Sequence, residues 1–159
     1  LGEDAGQEPV IPDAASVAVM AWEDWAKAVM FTPVASERVV YCLGGCPEGG
    51  AACGYAGTLD TYALVQDRPT LLDYKTGKAI YGEAFLQLAA YRHAAYRTGA
   101  IKTYEDVQML VLRLPKTLED PTFEAMPVPE NGTGGLEDFL AAKRLWTWQR
   151  RMQVRETGA

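Results

Sequence analysis

Residues 71–78 read LLDYKTGK, and the start of this stretch decides the fold. The apolar run that reaches Asp73 predicts a buried strand over 70–75. Side chains alternate along a strand, so Asp73 and Lys75 point to the same face. Isolated charges in a buried strand are costly unless they are paired or bind a metal. The stretch therefore predicts a central strand with a site at its end.

A second apolar strand, which carries Asp60, is predicted just upstream, and a Gln-Asp-Arg-Pro turn joins the two strands. If the hairpin closes symmetrically about the middle of that turn, Asp60 lies opposite Lys75 and Tyr62 lies opposite Asp73. The two aspartates and the lysine then cluster on one face of the sheet, provided that no bulge shifts the register.

Two carboxylates and one ammonium group meet in this arrangement. Like-charged carboxylates repel unless a cation lies between them, and hard oxygen ligands favour Mg²⁺ or Mn²⁺. Such an ion can polarise a phosphodiester and lower the pKa of a bound water, and Lys75 could orient that water or stabilise developing charge. The combination indicates phosphodiester hydrolysis. The alternative is an ordinary hairpin with an Asp–Lys pair on its surface.

Three short motifs occur in order along residues 54–91: GYAGTLD, LLDYKTGK and QLAAY. They contain G-x-x-D, D-x-K-T and Q-x-x-x-Y, and in this the chain resembles the RecB-like branch of the PD-(D/E)XK nuclease superfamily, which includes phage exonucleases and CRISPR-associated adaptation nucleases. The resemblance implies an α/β fold with a restriction-endonuclease-like core, in which helices flank a central mixed β-sheet. It also implies a Mg²⁺- or Mn²⁺-dependent deoxyribonuclease, with exonuclease action favoured, in phage or bacterial recombination and DNA repair.

The same resemblance assigns roles to the residues of the hairpin. Asp60 corresponds to the first metal-binding acid and Asp73 to the second. The backbone carbonyl of Tyr74 is implied as an additional metal ligand. Lys75 corresponds to the catalytic lysine.

Other residues complete the expected site. Gln87 and Tyr91 match the motif that positions the DNA backbone and the active site. Glu37 is the candidate for an upstream metal ligand, and the alternative is a solvated residue at the start of a strand. Lys78 and Arg92 are candidate contacts to DNA phosphates.

Hydrophobic periodicity, caps and turn residues predict the remaining elements. A first helix is predicted over 14–31, capped by Asp13 and ended by Pro33. A strand–helix–strand unit in the middle predicts a parallel crossover. Residues 1–12 are expected to form a loose tail and residues 13–159 a single nuclease domain. The other predicted elements are strands over 38–43, 54–65, 107–114 and 122–128 and helices over 82–97 and 135–154.

Three cysteines, Cys42, Cys46 and Cys53, fall within one Gly-rich segment. Their odd number favours a reducing cytoplasm, and the segment is interpreted as a loop with free thiols or one disulfide. A metal site is disfavoured because no fourth cysteine exists and His93 is distant in sequence. His93 is instead expected on the surface of a helix or partly buried. No iron–sulfur cluster is expected, because no cysteine follows Cys53 where the iron–sulfur members of the branch carry three.

The net charge of −6 neither supports nor excludes DNA as a partner, because the acidic residues are unevenly distributed. Residues 1–37 carry seven acidic residues and one basic residue, whereas residues 68–116 carry eight basic and four acidic residues. The basic last helix carries Trp146, which is expected in the core because it falls at helical spacing from Phe139 and Ala142. No apolar run approaches the roughly 20 residues of a membrane helix.

DNA is thus the expected partner, with recombination or replication proteins as further candidates and no membrane. The competing hypothesis is a catalytically silent nuclease-fold module that binds DNA or protein. A third possibility is an unrelated α/β domain that matches the motifs by chance.

Overall fold

The structure, a computed structural model, describes residues 12–45, 53–120, 122–129 and 135–157. The chain is an α/β protein in which helices flank a five-stranded mixed sheet with strand order β1-β2-β3-β4-β5. Only β3 and β4 run parallel, and the other neighbours in this sheet are antiparallel. The elements are α1 (Asp13–Ala28), β1 (Thr32–Cys42), β2 (Tyr55–Val65), β3 (Arg68–Thr76), α2 (Gly82–Arg97), β4 (Gln108–Leu114), β5 (Glu124–Pro127) and α3 (Leu136–Thr157).

The central strand β3 is buried on both of its faces. Leu71 packs in a core cluster with Leu88 of α2, and Leu72 packs in a second cluster with Trp25 of α1. Because neighbouring side chains of a strand point to opposite faces, α1 and α2 cover opposite sides of the sheet. A strand covered on both sides has a continuous apolar sequence, which explains the Thr-Leu-Leu run before Asp73.

Helix α2 is the crossover between the parallel strands β3 and β4, as the sequence predicted. Its buried face consists mostly of alanines, with Leu88 and His93 among them. Small side chains allow the helix axis to approach the sheet closely. Gln87 and Tyr91 lie next to this face. Tyr91 contacts the beginning of β2, and Gln87 contacts the end of β3.

The first helix and the first strand differ from their predicted bounds. The helix ends at Ala28 because Met30 adopts φ 50° and the Phe31 amide donates to the Ala26 carbonyl over 3.0 Å. This is the pattern of a helix end with a left-handed residue, here without the usual glycine. Pro33 does not end the helix but lies in β1, which begins six residues earlier than predicted. Asp13 is the first residue of the helix and not its cap.

The hairpin between β2 and β3 closes differently from the prediction. Its loop is only Gln66-Asp67, and Tyr62 pairs with Leu71 instead of Asp73. The ladder ends at the pair Thr61–Leu72, so it contains neither the predicted pairing of Tyr62 with Asp73 nor that of Asp60 with Lys75. The shift amounts to two residues, which preserves the face of every side chain.

Helix α3 contributes to the core only through its first turns. Leu140 is buried, with Leu136 and Phe139 packed nearby. Trp146 is 55% exposed, so its predicted place in the core is wrong. Leu145 and Trp148 beside it are exposed as well, so the described residues do not cover this part of the helix. Neither α3 nor another helix of the described residues is both long and apolar enough to cross a membrane.

The hairpin loop gives a prediction about stability. Gln66 and Asp67 are exposed and have φ 51° and 61°, values that a two-residue turn of this type requires and that Asn-Gly adopts readily. Because left-handed backbone costs ordinary residues roughly 1–2 kcal/mol, the double substitution Gln66→Asn, Asp67→Gly should raise the free energy of unfolding by about 1 kcal/mol. Urea denaturation measures the change.

A glycine with positive φ serves as the matched control. Gly99 has φ 72°, and Gly99→Ala should lower the free energy of unfolding by about 1 kcal/mol. An Asn-Gly variant no more stable than the parent chain would show that the loop is not strained.

Candidate active site

Asp73 is the most deeply buried acid of the described residues. It is 1% exposed, and its Oδ1 atom has no hydrogen-bond partner there. Burial raises the pKa of this carboxyl above its usual value, the adjacent Lys75 lowers it in part, and the charge of Asp60 raises it further. An uncompensated carboxylate oxygen in a dry strand is unfavourable for folding and is typical of functional sites.

A chain of polar contacts joins β3 to α2. The Lys75 ammonium lies 2.7 Å from Asp73 Oδ2 and donates to Gln87 Oε1 over 3.1 Å. Gln87 Nε2 in turn donates to the Tyr91 hydroxyl over 3.0 Å. Gln87 and Tyr91 are four residues apart and thus share one helix face. The amide fixes the position of the ammonium, and the tyrosine fixes the orientation of the amide.

Asp60 lies on the other side of this group. Its Oδ2 atom accepts a hydrogen bond of 2.8 Å from the Tyr74 amide, where the ladder between β2 and β3 has ended. The Tyr74 side chain is oriented separately, since its hydroxyl accepts a hydrogen bond of 3.3 Å from Trp22 Nε1 in α1. Tyr74 is therefore held at its backbone by Asp60 of β2 and at its hydroxyl by Trp22 of α1.

Gly57 explains why the first motif begins with glycine. A Cβ atom at this position would lie 2.5 Å from Cε1 and 2.6 Å from the hydroxyl of Tyr91. The aromatic ring therefore occupies the space that any other residue would fill. The G-x-x-D and Q-x-x-x-Y motifs are two sides of one contact between β2 and α2.

Arg113 is a buried charge that the sequence analysis missed. It is 2% exposed and pairs with Lys75 in the β3–β4 register. Its Nη1 atom donates to the Gly77 carbonyl over 3.3 Å, and its Nε atom lies 3.3 Å from Glu124 Oε2. The guanidinium thus anchors the chain where it leaves β3. The signal was available, because a basic residue inside the apolar stretch VQMLVLRL is as unusual as Asp73 in its own strand.

Glu37 lies on the strand next to Asp60, but it does not join the group. The pairs Ser36–Thr61 and Arg38–Leu59 place it across from Asp60. It is exposed with φ 51°. Within the described residues, no three acidic groups come within 4.8 Å of one another. Its assignment as a metal ligand therefore stays a prediction.

Two clefts open beside the polar chain, as we call the row of hydrogen-bonded side chains formed by Lys75, Gln87 and Tyr91. One of about 420 Å³ is lined by Lys75, Gly77 and Tyr81, among others, and one of about 330 Å³ extends toward Tyr91 and Phe139. Both are lined by Glu83 and Gln87. The two clefts therefore lie side by side along the N-terminal half of α2.

The two candidate phosphate contacts lie in different places. Lys78 is exposed, and its neighbours Gly77 and Ala79 line the first cleft. Arg92 lies 4.3 Å from the centre of the Tyr104 ring and lines a separate cleft of about 710 Å³ at the start of β4. Lys78 thus lies between two residues that line the first cleft, whereas Arg92 contributes to a different surface.

His93 was expected at the surface or partly buried, but it is 2% exposed. It lies within 4.8 Å of Cys42 and Cys53, although the three are far apart in sequence. Cys42 is a free thiol, and Cys53 is disulfide-bonded. Cys46 and the proposed tail lie outside the described residues, apart from Pro12 at the end of that tail. A lone histidine on an alanine-rich buried helix face was the sequence signal for this group.

No protein-family model matches the chain, and no curated protein is similar to it in sequence. The function is therefore inferred from the three sequence motifs and from the geometry of the charged group at Asp73 and of the cysteine–histidine group.

The contact between Gly57 and Tyr91 gives a second prediction. Gly57→Ala should lower the free energy of unfolding by about 1–3 kcal/mol, because the added methyl group overpacks against the Tyr91 ring. The control is Gly54→Ala, where a Cβ atom meets nothing within 4 Å. If the contact is the cause, Tyr91→Ala should remove most of the effect of Gly57→Ala in a double-mutant cycle. Equal effects at both glycines would contradict it.

Proposed function

We propose that the chain is a metal-dependent DNA nuclease with a restriction-endonuclease-like core, related to the RecB-like branch of the PD-(D/E)XK superfamily. The observation that carries the proposal is the buried Asp73 carboxylate, which has one oxygen without a partner, one neighbouring acid and one neighbouring cation. Such a group is costly for a purely structural role, whereas a divalent cation compensates it fully.

The donor atoms fit a hard cation. Asp73 Oδ1 has no hydrogen-bond partner among the described residues. Asp60 accepts the hydrogen bond of the Tyr74 amide with Oδ2, and its other oxygen, Oδ1, is the proposed metal ligand. Two carboxylates, with the Tyr74 carbonyl as a proposed third ligand, are the oxygen donors that Mg²⁺ or Mn²⁺ prefers. When bound, this ion supplies charge stabilisation at the phosphate and a more acidic water.

Lys75 has the second role in the proposed reaction. Its ammonium group forms an ion pair with Asp73. A metal cation bound to the carboxylates would neutralise their charge in its place, and the ammonium could then interact with the substrate. Because Gln87 holds the lysine from the side of α2, the ammonium stays at the edge of the cleft. There it can orient a water or stabilise negative charge on the phosphate. Gln87 and Tyr91 are positioning residues for this step.

The substrate is proposed to be DNA, cut by exonuclease action in phage or bacterial recombination and repair. Lys78 beside the first cleft is the proposed phosphate contact. The two clefts of about 420 and 330 Å³ beside Gln87 are the proposed place of entry for the strand. A cytoplasmic location and recombination or replication proteins as partners belong to the same proposal.

The proposal predicts loss of cleavage on removal of the charged groups. With Mn²⁺ and linear or single-stranded DNA, Asp73→Asn and Lys75→Ala should each reduce the cleavage rate by about 10²–10⁴-fold. The matched controls are Asp24→Asn and Lys102→Ala, which change exposed residues of the same types and should leave the rate within about twofold. Gel assays of labelled DNA measure the rates.

Two outcomes would contradict this. Metal-dependent cleavage that persists in both active-site variants would show that the nuclease site lies elsewhere. DNA binding without cleavage of any end structure by the unaltered chain would support the silent module instead.

The stability of Asp73→Asn gives a further prediction. A carboxyl whose pKa is raised on folding contributes stability that is fully present below its unfolded pKa and is lost as pH rises through the folded pKa. At neutral pH and without metal, Asp73→Asn should therefore melt higher than the parent chain, by about 2–4 °C. Adding Mn²⁺ should raise the melting temperature of the parent and not that of the variant. A variant that melts lower at neutral pH would show that Lys75 fully compensates the buried charge.

A further inference from the structure

A second group of potential metal ligands lies away from the carboxylates. Cys42 ends β1, Cys53 lies just before β2, and His93 belongs to α2. One ligand atom of each lies within 4.8 Å of the other two, and all three residues are buried. The three side chains therefore lie where both ends of the β1–β2 connection meet helix α2.

Tyr55 determines which nitrogen of His93 carries the proton. Its hydroxyl donates to the Ala90 carbonyl over 3.1 Å and lies 2.7 Å from His93 Nδ1. A carbonyl can only accept, so the single hydroxyl hydrogen is directed to Ala90, and Nδ1 donates to the tyrosine oxygen. The lone pair of the neutral imidazole is then on Nε2. A second hydrogen bond that orients the ring in this way is the usual support of a metal-bound histidine.

The surroundings of the group are apolar. Cys42, Cys53 and Leu140 form a buried cluster against which Leu136 and Phe139 of α3 pack. Sulfur and imidazole donors in a dry pocket suit Zn²⁺ and do not suit Mg²⁺. The chemistry is thus opposite to that of the oxygen donors at Asp60 and Asp73.

We propose that Cys42, Cys53 and His93 bind a zinc ion once the disulfide of Cys53 is reduced. Reduction breaks the S–S bond and gives two thiols. With a phosphine reductant, the phosphine becomes its oxide by taking oxygen from water, and the water protons go to the two sulfurs. Zn²⁺ then displaces the protons of Cys42 and Cys53, which pass to solvent, while His93 binds through its neutral nitrogen. One of the four zinc positions is left for a donor outside this group.

The ion would have a structural role. It would tie the end of β1 and the start of β2 to α2, two residues beyond Tyr91 and beneath α3. The Tyr91 ring contacts Gly57 only if α2 keeps its position along β2. A zinc ion at His93 would therefore stabilise the part of α2 that carries the polar chain.

The experiment uses the full chain, reduced with a phosphine and loaded with Zn²⁺ or Co²⁺. Elemental analysis after gel filtration should give about one zinc per chain. The Co²⁺ form should show sulfur-to-cobalt charge-transfer absorption, which carboxylate ligands do not produce. Chelation of the zinc should lower the melting temperature by roughly 10 °C, the effect of losing a ligand present far above its dissociation constant.

Variants separate the proposed ligands from other sources of bound zinc. Cys42→Ser and His93→Gln should weaken zinc binding more than about 100-fold, and Tyr55→Phe by about 10–100-fold. Tyr96→Phe is the matched control at an exposed tyrosine, and Asp73→Asn is the control for binding to carboxylates; both should keep the parent affinity. Circular dichroism of each variant establishes that it is folded.

The proposal is overturned if the reduced chain binds no zinc, or if its Co²⁺ form lacks the charge-transfer absorption. It is also overturned if folded Cys42→Ser and His93→Gln bind zinc as tightly as the parent. Because no arm of the experiment depends on DNA cleavage, its outcome is independent of the proposed nuclease activity.

Discussion

The structure depends on the burial of one carboxylate, that of Asp73. A strand covered by helices on both faces offers almost no water to a charge, and a single ammonium group touches this one. That ammonium must be held in place, which Gln87 does from α2. The helix must in turn approach the sheet closely, and its alanine-rich face permits this. The contacts of Lys75 and Gln87 are thus coupled to the buried charge of Asp73, while apolar packing on β3 positions α2 itself.

Helix α2 links the two polar groups of the molecule. Gln87 and Tyr91 face the charged group, and His93, two residues further on, faces the cysteines. Both groups therefore take side chains from the same two turns of one helix. Phe139 reinforces this connection, because it lies 4.9 Å from the Tyr55 ring and also lines the cleft beside Gln87.

The sequence predicted the features that depend on local pattern and failed where the outcome depends on tertiary packing. The bounds of α2 and the face shared by Asp73 and Lys75 follow from periodicity. The hairpin register did not, because two residues without glycine adopt the left-handed backbone of a tight turn. Trp146 was expected in the core and is exposed, whereas His93 was expected at the surface or partly buried and is fully buried. Burial depends on the elements that pack against a helix, and the sequence of the helix alone does not give these. The proximity of His93 to Cys42 arises from the β1–β2 pairing and the crossover, neither of which is encoded in sequence distance.

The two groups differ in how firmly each could hold an ion. At the carboxylates, the Lys75 ammonium already lies 2.7 Å from Asp73, and a divalent cation must compete with it. Such competition weakens binding, so the proposed Mg²⁺ or Mn²⁺ is expected to enter together with the negative charge of the DNA phosphates. At the cysteines and His93, the described surroundings are apolar. The proposed zinc ion is therefore expected to bind more tightly than the proposed Mg²⁺ or Mn²⁺ at Asp73.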